Sequence, residues 1–242
     1  IQQPMQVCMR FMKLILKFDS LKTGLEIPYD HQYQVYAGLL NCIKMSNPEL
    51  AASLHRSHAA PRYVMSQIMG SGRKLFSDTG FSSGRYVLLL NGREPSLLKE
   101  IAEAVESAKS LQIGELNLPF YSYDLIPLSA PGIPTEFITK SPVVIQEGNR
   151  YLRAGDDEFV EELKNNILRK TSAINPSYNA SRIRYLRLID NRNKLCTVAG
   201  GKIPCSIVRF VIDAGPEVIE TIIVNGLGSK NQIGFGYVET CR

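Results

Sequence analysis

The sequence predicts an α+β chain built from two tandem ferredoxin-like (RRM-like) domains, residues 9–128 and 135–242. Three observations predict it. Over the first half, apolar-patterned segments follow the order β-α-β-β-α-β, the pattern of a split β-α-β unit. The same order returns over the second half. Between the halves Pro127, Pro131, Gly132 and Pro134 cluster, the composition of a linker. A chain of 242 residues has room for two small domains. Its 44% hydrophobic and 21% charged residues exclude a mostly disordered polymer.

The elements run as follows. Phe11–Phe18 alternates imperfectly and reads as a strand; Lys13 and Lys17 interrupt it, and it is too short and too charged for a membrane span or signal core. Residues 1–8 precede Met9, which reads as a candidate natural start. Asp30–Met45 carries Tyr33, Tyr36, Ala37, Leu40 and Ile43 at helical spacing, with Asp30 as the expected cap. Asn47-Pro48 breaks that helix and starts a short second one through Leu54. Arg62–Met69 and Arg85–Leu90 read as strands, joined by the Gly/Ser-rich stretch Gly70–Gly84 as a long hairpin or loop. Pro95–Ala108 is an amphipathic helix, and Leu111–Leu128 is strand, interrupted at Pro119.

In the second half, Phe137–Gln146 is extended. Asp157–Lys170 is a helix with acids first and bases last, as the helix dipole favours. Arg182–Ile189 and Ile203–Ile212 are strands, Pro216–Val224 a short helix, and Gly234–Thr240 the closing strand.

Charge is localised. Lys164–Arg209 holds ten Lys or Arg and one acid, Asp190, so this window alone exceeds the chain's net charge of +5. A concentrated basic segment is the electrostatic footprint of a nucleic-acid binder. Cys8, Cys42, Cys196, Cys205 and Cys241 show no CxxC spacing, and with three histidines they form no zinc constellation. Free thiols fit a reducing cytoplasm. No metal, no cofactor and no membrane contact are expected.

The most specific local feature is Gly226-Leu-Gly-Ser-Lys-Asn-Gln-Ile-Gly-Phe-Gly236. Four glycines permit positive φ and close approach to a ligand. Exposed amides form an anion nest to which Lys230 adds charge. The spacing is neither that of a dinucleotide fingerprint nor that of a Walker loop.

This stretch resembles the C-terminal glycine-rich loop of RAMP-superfamily proteins, in particular the archaeal-type CRISPR repeat-processing endoribonucleases. In those proteins a basic glycine turn precedes Gly-Phe-Gly and the last strand, as Gly226–Lys230 and Gly234-Phe-Gly236 do here. Ile27-Pro-Tyr-Asp-His-Gln-Tyr33, leading through Asn41, Lys44 and Asn47-Pro48 to Leu54-His55, is similar to their first helical region.

The resemblance implies metal-independent cleavage of CRISPR precursor RNA within its repeats. The ribose 2′-hydroxyl attacks the adjacent phosphate and leaves a 2′,3′-cyclic phosphate and a 5′-hydroxyl. His55 matches the family's catalytic histidine, with His58 in reserve and His31 read as structural. Some relatives place a tyrosine where this chain has Leu40, which cannot move a proton. Tyr36, one turn earlier on the same helical face, is the substitute candidate. Arg62 matches their basic residue if one position is inserted, and would hold the scissile phosphate.

For RNA binding, the expected contacts are Arg182, Arg184, Arg187, Gly226, Gly228 and Lys230. Arg169, Lys170, Arg192, Lys194, Lys202 and Arg209 extend a phosphate track, and Tyr178 and Tyr185 are candidates for stacking. The expected partner is CRISPR repeat RNA, with other CRISPR-associated proteins or a second copy of the chain as further candidates. Leu40 keeps a second class open: a non-catalytic RAMP subunit that binds CRISPR RNA in a larger complex. An unrelated RRM-like RNA binder ranks last, because no RNP1 signature is present.

Overall fold

A computed structural model of the chain describes residues 11–20, 25–56, 61–129, 131–177 and 183–241. The first domain comprises β1 (Met12–Asp19), β2 (Glu26–Pro28), α1 (Gln32–Ser46), α2 (Pro48–His55), β3 (Tyr63–Met65), β4 (Met69–Phe76), β5 (Gly80–Gly92), α3 (Pro95–Ala108), β6 (Ser110–Ile113) and β7 (Leu116–Pro127). β1 lies antiparallel between β5 and β7, and β4 pairs with the far side of β5. That is the antiparallel ferredoxin-like sheet, order β4-β5-β1-β7.

The second domain comprises β8 (Thr135–Thr139), β9 (Ile145–Glu147), β10 (Arg150–Leu152), α4 (Phe159–Ile174), β11 (Ile183–Val198), β12 (Gly201–Ala214), α5 (Pro216–Asn225) and β13 (Val238–Thr240). Its sheet runs β11-β12-β8-β13, the same topology again. β7 ends at Pro127 and β8 begins at Thr135, so the Pro/Gly cluster is the crossing between domains.

Each domain has its own apolar core. In the first, α1 buries Val35, Tyr36, Leu39, Cys42 and Ile43 against Leu14, Leu16, Leu88 and Leu90 of the sheet. Gly38 lies so close to β6 that a Cβ would overlap the Gln112 carbonyl. In the second, α4 and α5 bury Phe159, Leu163, Ile167, Ile219 and Ile222 against Phe137, Phe210 and Ile212. The domains also pack on each other. Val64, Leu89 and Tyr237 form a small shared cluster. The Tyr237 hydroxyl donates to Asn91 Oδ1 (3.1 Å), Asn91 Nδ2 donates to the Ile223 carbonyl (3.0 Å), and Lys13 pairs with Glu239 (3.0 Å).

Several elements differ from expectation. Asp30 does not cap α1; its Oδ2 accepts the Thr197 N–H (3.1 Å) from the other domain, and His31 takes the N-cap position. The Gly/Ser-rich stretch 70–84 is mostly strand, because β4 finds its hydrogen bonds on β5 and only Ser77–Thr79 turns. β11 and β12 form a much longer hairpin than their apolar segments suggest, meeting at Ala199-Gly200. The closing strand shortens to Val238–Thr240, because Gly234 and Gly236 have φ of +91° and +70°, outside strand geometry.

Candidate active site

The glycine-rich loop and the end of α2 face each other across the domain seam. Between them opens a cleft of about 520 Å³, lined on one side by Tyr33, Tyr36 and His55 and on the other by Gly228–Ile233, with Asn166, Arg169 and Lys170 of α4 closing it.

His55 is the last residue of α2, at the helix C-terminus. Asn47 starts that helix, its Oδ1 accepting the Leu50 N–H (3.0 Å). Leu54 anchors it in the core and leaves His55 exposed. The Tyr36 hydroxyl lies 3.4 Å from His55 Nδ1. A phenol both donates and accepts, so this contact persists whether the imidazole is neutral or protonated. Burial, with Tyr33 close by, raises the Tyr36 pKa and keeps its proton in place at neutral pH.

The opposite wall is built from backbone. Gly226, Gly228, Gly234 and Gly236 all have positive φ. A Cβ on Gly236 would overlap the Leu227 carbonyl oxygen, and one on Gly228 the Val144 carbonyl oxygen. Two side chains hold this shape. Lys170 Nζ donates to Asn231 Oδ1 (2.7 Å) and to the carbonyls of Gly226 (2.8 Å) and Asn225 (3.2 Å). Asn231 Nδ2 donates to the carbonyls of Leu227 (2.8 Å) and Phe235 (3.1 Å). Burial, then the neighbouring Arg169, pulls the Lys170 pKa down to about 7, while its three acceptors match the three donors of the ammonium form. Lys230 lines the cleft and forms no salt bridge among the described residues.

Among the predicted site residues, the cleft brings together His55, Tyr36, Gly228 and Lys230. Gly226 shapes the loop from behind, with its carbonyl taken by Lys170 and its α-carbon against Val64. Arg62 does not line the cleft. Glu94 engages its guanidinium through two hydrogen bonds, raising the arginine pKa and lowering that of the carboxylate, so its charge is already matched. Arg184 and Arg187 are exposed on β11, away from the cleft. A register shift between Ile183 and Tyr185 removes strict alternation there, and Arg184 pairs with Asp213 (3.2 Å). Arg182, Tyr178 and His58 lie outside the described residues.

Lys170, expected on a phosphate track, is instead the buried anchor of the loop. Arg169 reaches the cleft but pairs with Glu162 (2.6 Å). His31 is structural, as read: Nδ1 contacts the Pro28 carbonyl (2.6 Å) and Nε2 accepts the Ile68 N–H (2.9 Å). Sequence reasoning missed Asn166 and Asn231 as cleft residues, since neither type signals its burial. Among the described residues, no three His, Cys, Asp or Glu side chains are grouped to hold a metal ion, and no helix is long and apolar enough to cross a membrane.

The fold is two ferredoxin-like domains with a glycine-rich loop closing on their seam. Two family models locate it more closely: that of CRISPR-associated protein Cas6, N-terminal, matches residues 26–121, and that of CRISPR associated protein Cas6, C-terminal, matches residues 129–240. The chain belongs to the Cas6 family of CRISPR-associated proteins. It is 25% identical over 238 residues to the endoribonuclease-like protein Cas6nc of Pyrococcus horikoshii, covering 94% of this chain and 99% of that one. It is 25% identical over 244 residues to the CRISPR-associated endoribonuclease Cas6 of Pyrococcus furiosus, covering 96% and 89%. The fold matches the structure of a Cas6-related protein from Pyrococcus furiosus at a TM-score of 0.82, with 20% identity over 96% of this chain and 99% of that one. It matches an RAMP protein described as binding different RNA substrates at the same TM-score, with 24% identity over 96% and 100%.

Proposed function

We propose that this chain is a metal-independent endoribonuclease that cuts CRISPR precursor RNA within its repeats. The observation that carries this reading is the Tyr36–His55 contact, set opposite the Gly228–Lys230 wall of one cleft. An RNA strand laid there presents a ribose 2′-hydroxyl beside its own scissile phosphate, so the protein supplies no nucleophile. His55 moves the proton, and Tyr36 holds the imidazole by Nδ1 so that Nε2 is free for the RNA. Lys230 and the loop amides face the phosphate, where negative charge builds in the transition state. The products are a 2′,3′-cyclic phosphate and a 5′-hydroxyl.

A second reading rests on Leu40. It packs partly buried against the first core and offers no proton-transfer group where some relatives carry a tyrosine. A RAMP subunit that binds CRISPR RNA without cutting it would keep the same loop and cleft.

One experiment separates the two. Purified protein is incubated with repeat RNA in EDTA, and the product ends are analysed. Cutting that leaves a cyclic phosphate and disappears in His55→Ala supports the nuclease. Tight binding with no cutting selects the second reading, and cutting that His55→Ala leaves intact removes His55 from the mechanism.

A further inference from the structure

A second pocket, of about 190 Å³, lies beside the cleft. The two share one short segment: Tyr29 and His31 line the pocket and Tyr33 lines the cleft. Four residues of chain span at most ~14 Å even when extended, so the pocket is within a few nucleotides of the cleft along any strand leaving it.

The side chains at its rim are not those of a core. Phe76, at the end of β4, is 71% exposed in a hairpin that is otherwise mostly polar. Tyr29 stands beside it, its ring fixed by a hydrogen bond from the hydroxyl to the Ser77 carbonyl (2.9 Å). Phe81 and the buried His31, with ring centroids 6.3 Å apart, form the floor. Lys74 comes from the same hairpin, and Lys194 reaches in from β11 of the other domain. Neither lysine forms a salt bridge among the described residues. Flat apolar faces flanked by ammonium groups that form no salt bridge among the described residues, that of Lys194 hydrogen-bonding the Cys196 thiol, match a nucleobase with a phosphate on either side, the combination by which proteins hold single-stranded nucleic acid.

We propose that this pocket is a binding site for one unpaired nucleotide of the RNA strand as it leaves the cleft. Its base stacks on Phe76 and Tyr29, and Lys74 and Lys194 take the flanking phosphates. The proposal rests on the RNA-binding part of the reading above and not on catalysis. Both domains contribute, so the pocket also fixes the path of the strand across the seam.

The test uses single-stranded repeat RNA carrying one 2-aminopurine, moved position by position. Wild-type protein quenches the fluorescence of the stacked base at one position outside the cleavage site. Phe76→Ala, a change at an exposed side chain, relieves that quench and weakens affinity about 5- to 160-fold, the range of one base–aromatic stack. Lys194→Ala lowers the salt dependence of binding by about 0.7 in log–log slope, one phosphate contact on a single strand. Cleavage by saturating protein in a single turnover is unchanged in Phe76→Ala. Wild-type affinity and unaltered quench in Phe76→Ala overturn the proposal, as does RNA that does not bind at all. A wild-type protein that binds and quenches without cutting leaves the pocket standing and removes the nuclease reading alone.

Discussion

The two domains share a topology and divide the work differently. In the first, the site grows from the crossover between β1 and the second strand position, where α2 follows α1 and ends on His55. In the second, it grows from the other crossover, where the loop between α5 and β13 carries the four glycines. One half presents exposed side chains on a helix end. The other presents backbone, clamped by Lys170 and Asn231. The difference teaches that one topology can serve one cleft in two ways, with exposed side chains at a helix end on one wall and a main chain held rigid by buried side chains on the other.

Four measurements break or sharpen that comparison. The largest effect is expected for His55→Ala: single-turnover cleavage falls about 100- to 10,000-fold, the range of general acid–base catalysis, with RNA affinity and melting temperature unchanged. A large loss of affinity instead would move His55 from proton transfer to binding.

Acid stability follows from His31, whose pKa burial pulls down to about 4. The unfolded chain binds this proton more readily, with a reference near 6.5. Its contribution is therefore complete above pH 6.5 and is lost as pH falls toward 4, by roughly 3 kcal/mol in total. In His31→Gln, the stability difference from wild type should narrow through that window; a constant difference in urea titrations at pH 7 and pH 4.5 would refute this.

Lys170→Met tests the rigid half. It strands two carbonyls and the Asn231 side chain, and is expected to cost about 1–3 kcal/mol in denaturant unfolding as well as RNA affinity. Lost activity without lost stability would make Lys170 a ligand contact and not an anchor. The smallest effect is expected for Tyr36→Phe, which keeps the packing and removes the contact to Nδ1. The cleavage rate drops about tenfold at constant affinity if the hydroxyl orients the imidazole, and is unchanged if Tyr36 only packs.

Much of this was legible beforehand, for identifiable reasons. The amphipathic helices α1 and α3 and the Pro127–Pro134 crossing read directly from periodicity and composition, and they fix the doubled ferredoxin-like topology. His55, Tyr36, Gly228 and Lys230, which line one cleft, stood out because they sit in or beside motifs near opposite ends of the chain. The β11–β12 hairpin was not, because Asp190–Lys194 is polar and its strand geometry comes from cross-strand hydrogen bonds alone. Lys170 was illegible for a related reason. It read as a last-turn base complementing the dipole, but α4 runs on to Ile174 and turns that lysine inward. Arg62 misled because sequence shows the cation and not the Glu94 that claims it.

The lysine clamp has one more consequence. A loop already locked by five hydrogen bonds from Lys170 and Asn231 spends its ordering entropy during folding, not at the encounter with a ligand. A ligand of the cleft therefore meets a preformed wall, and differences among ligands are expected in how long each one stays.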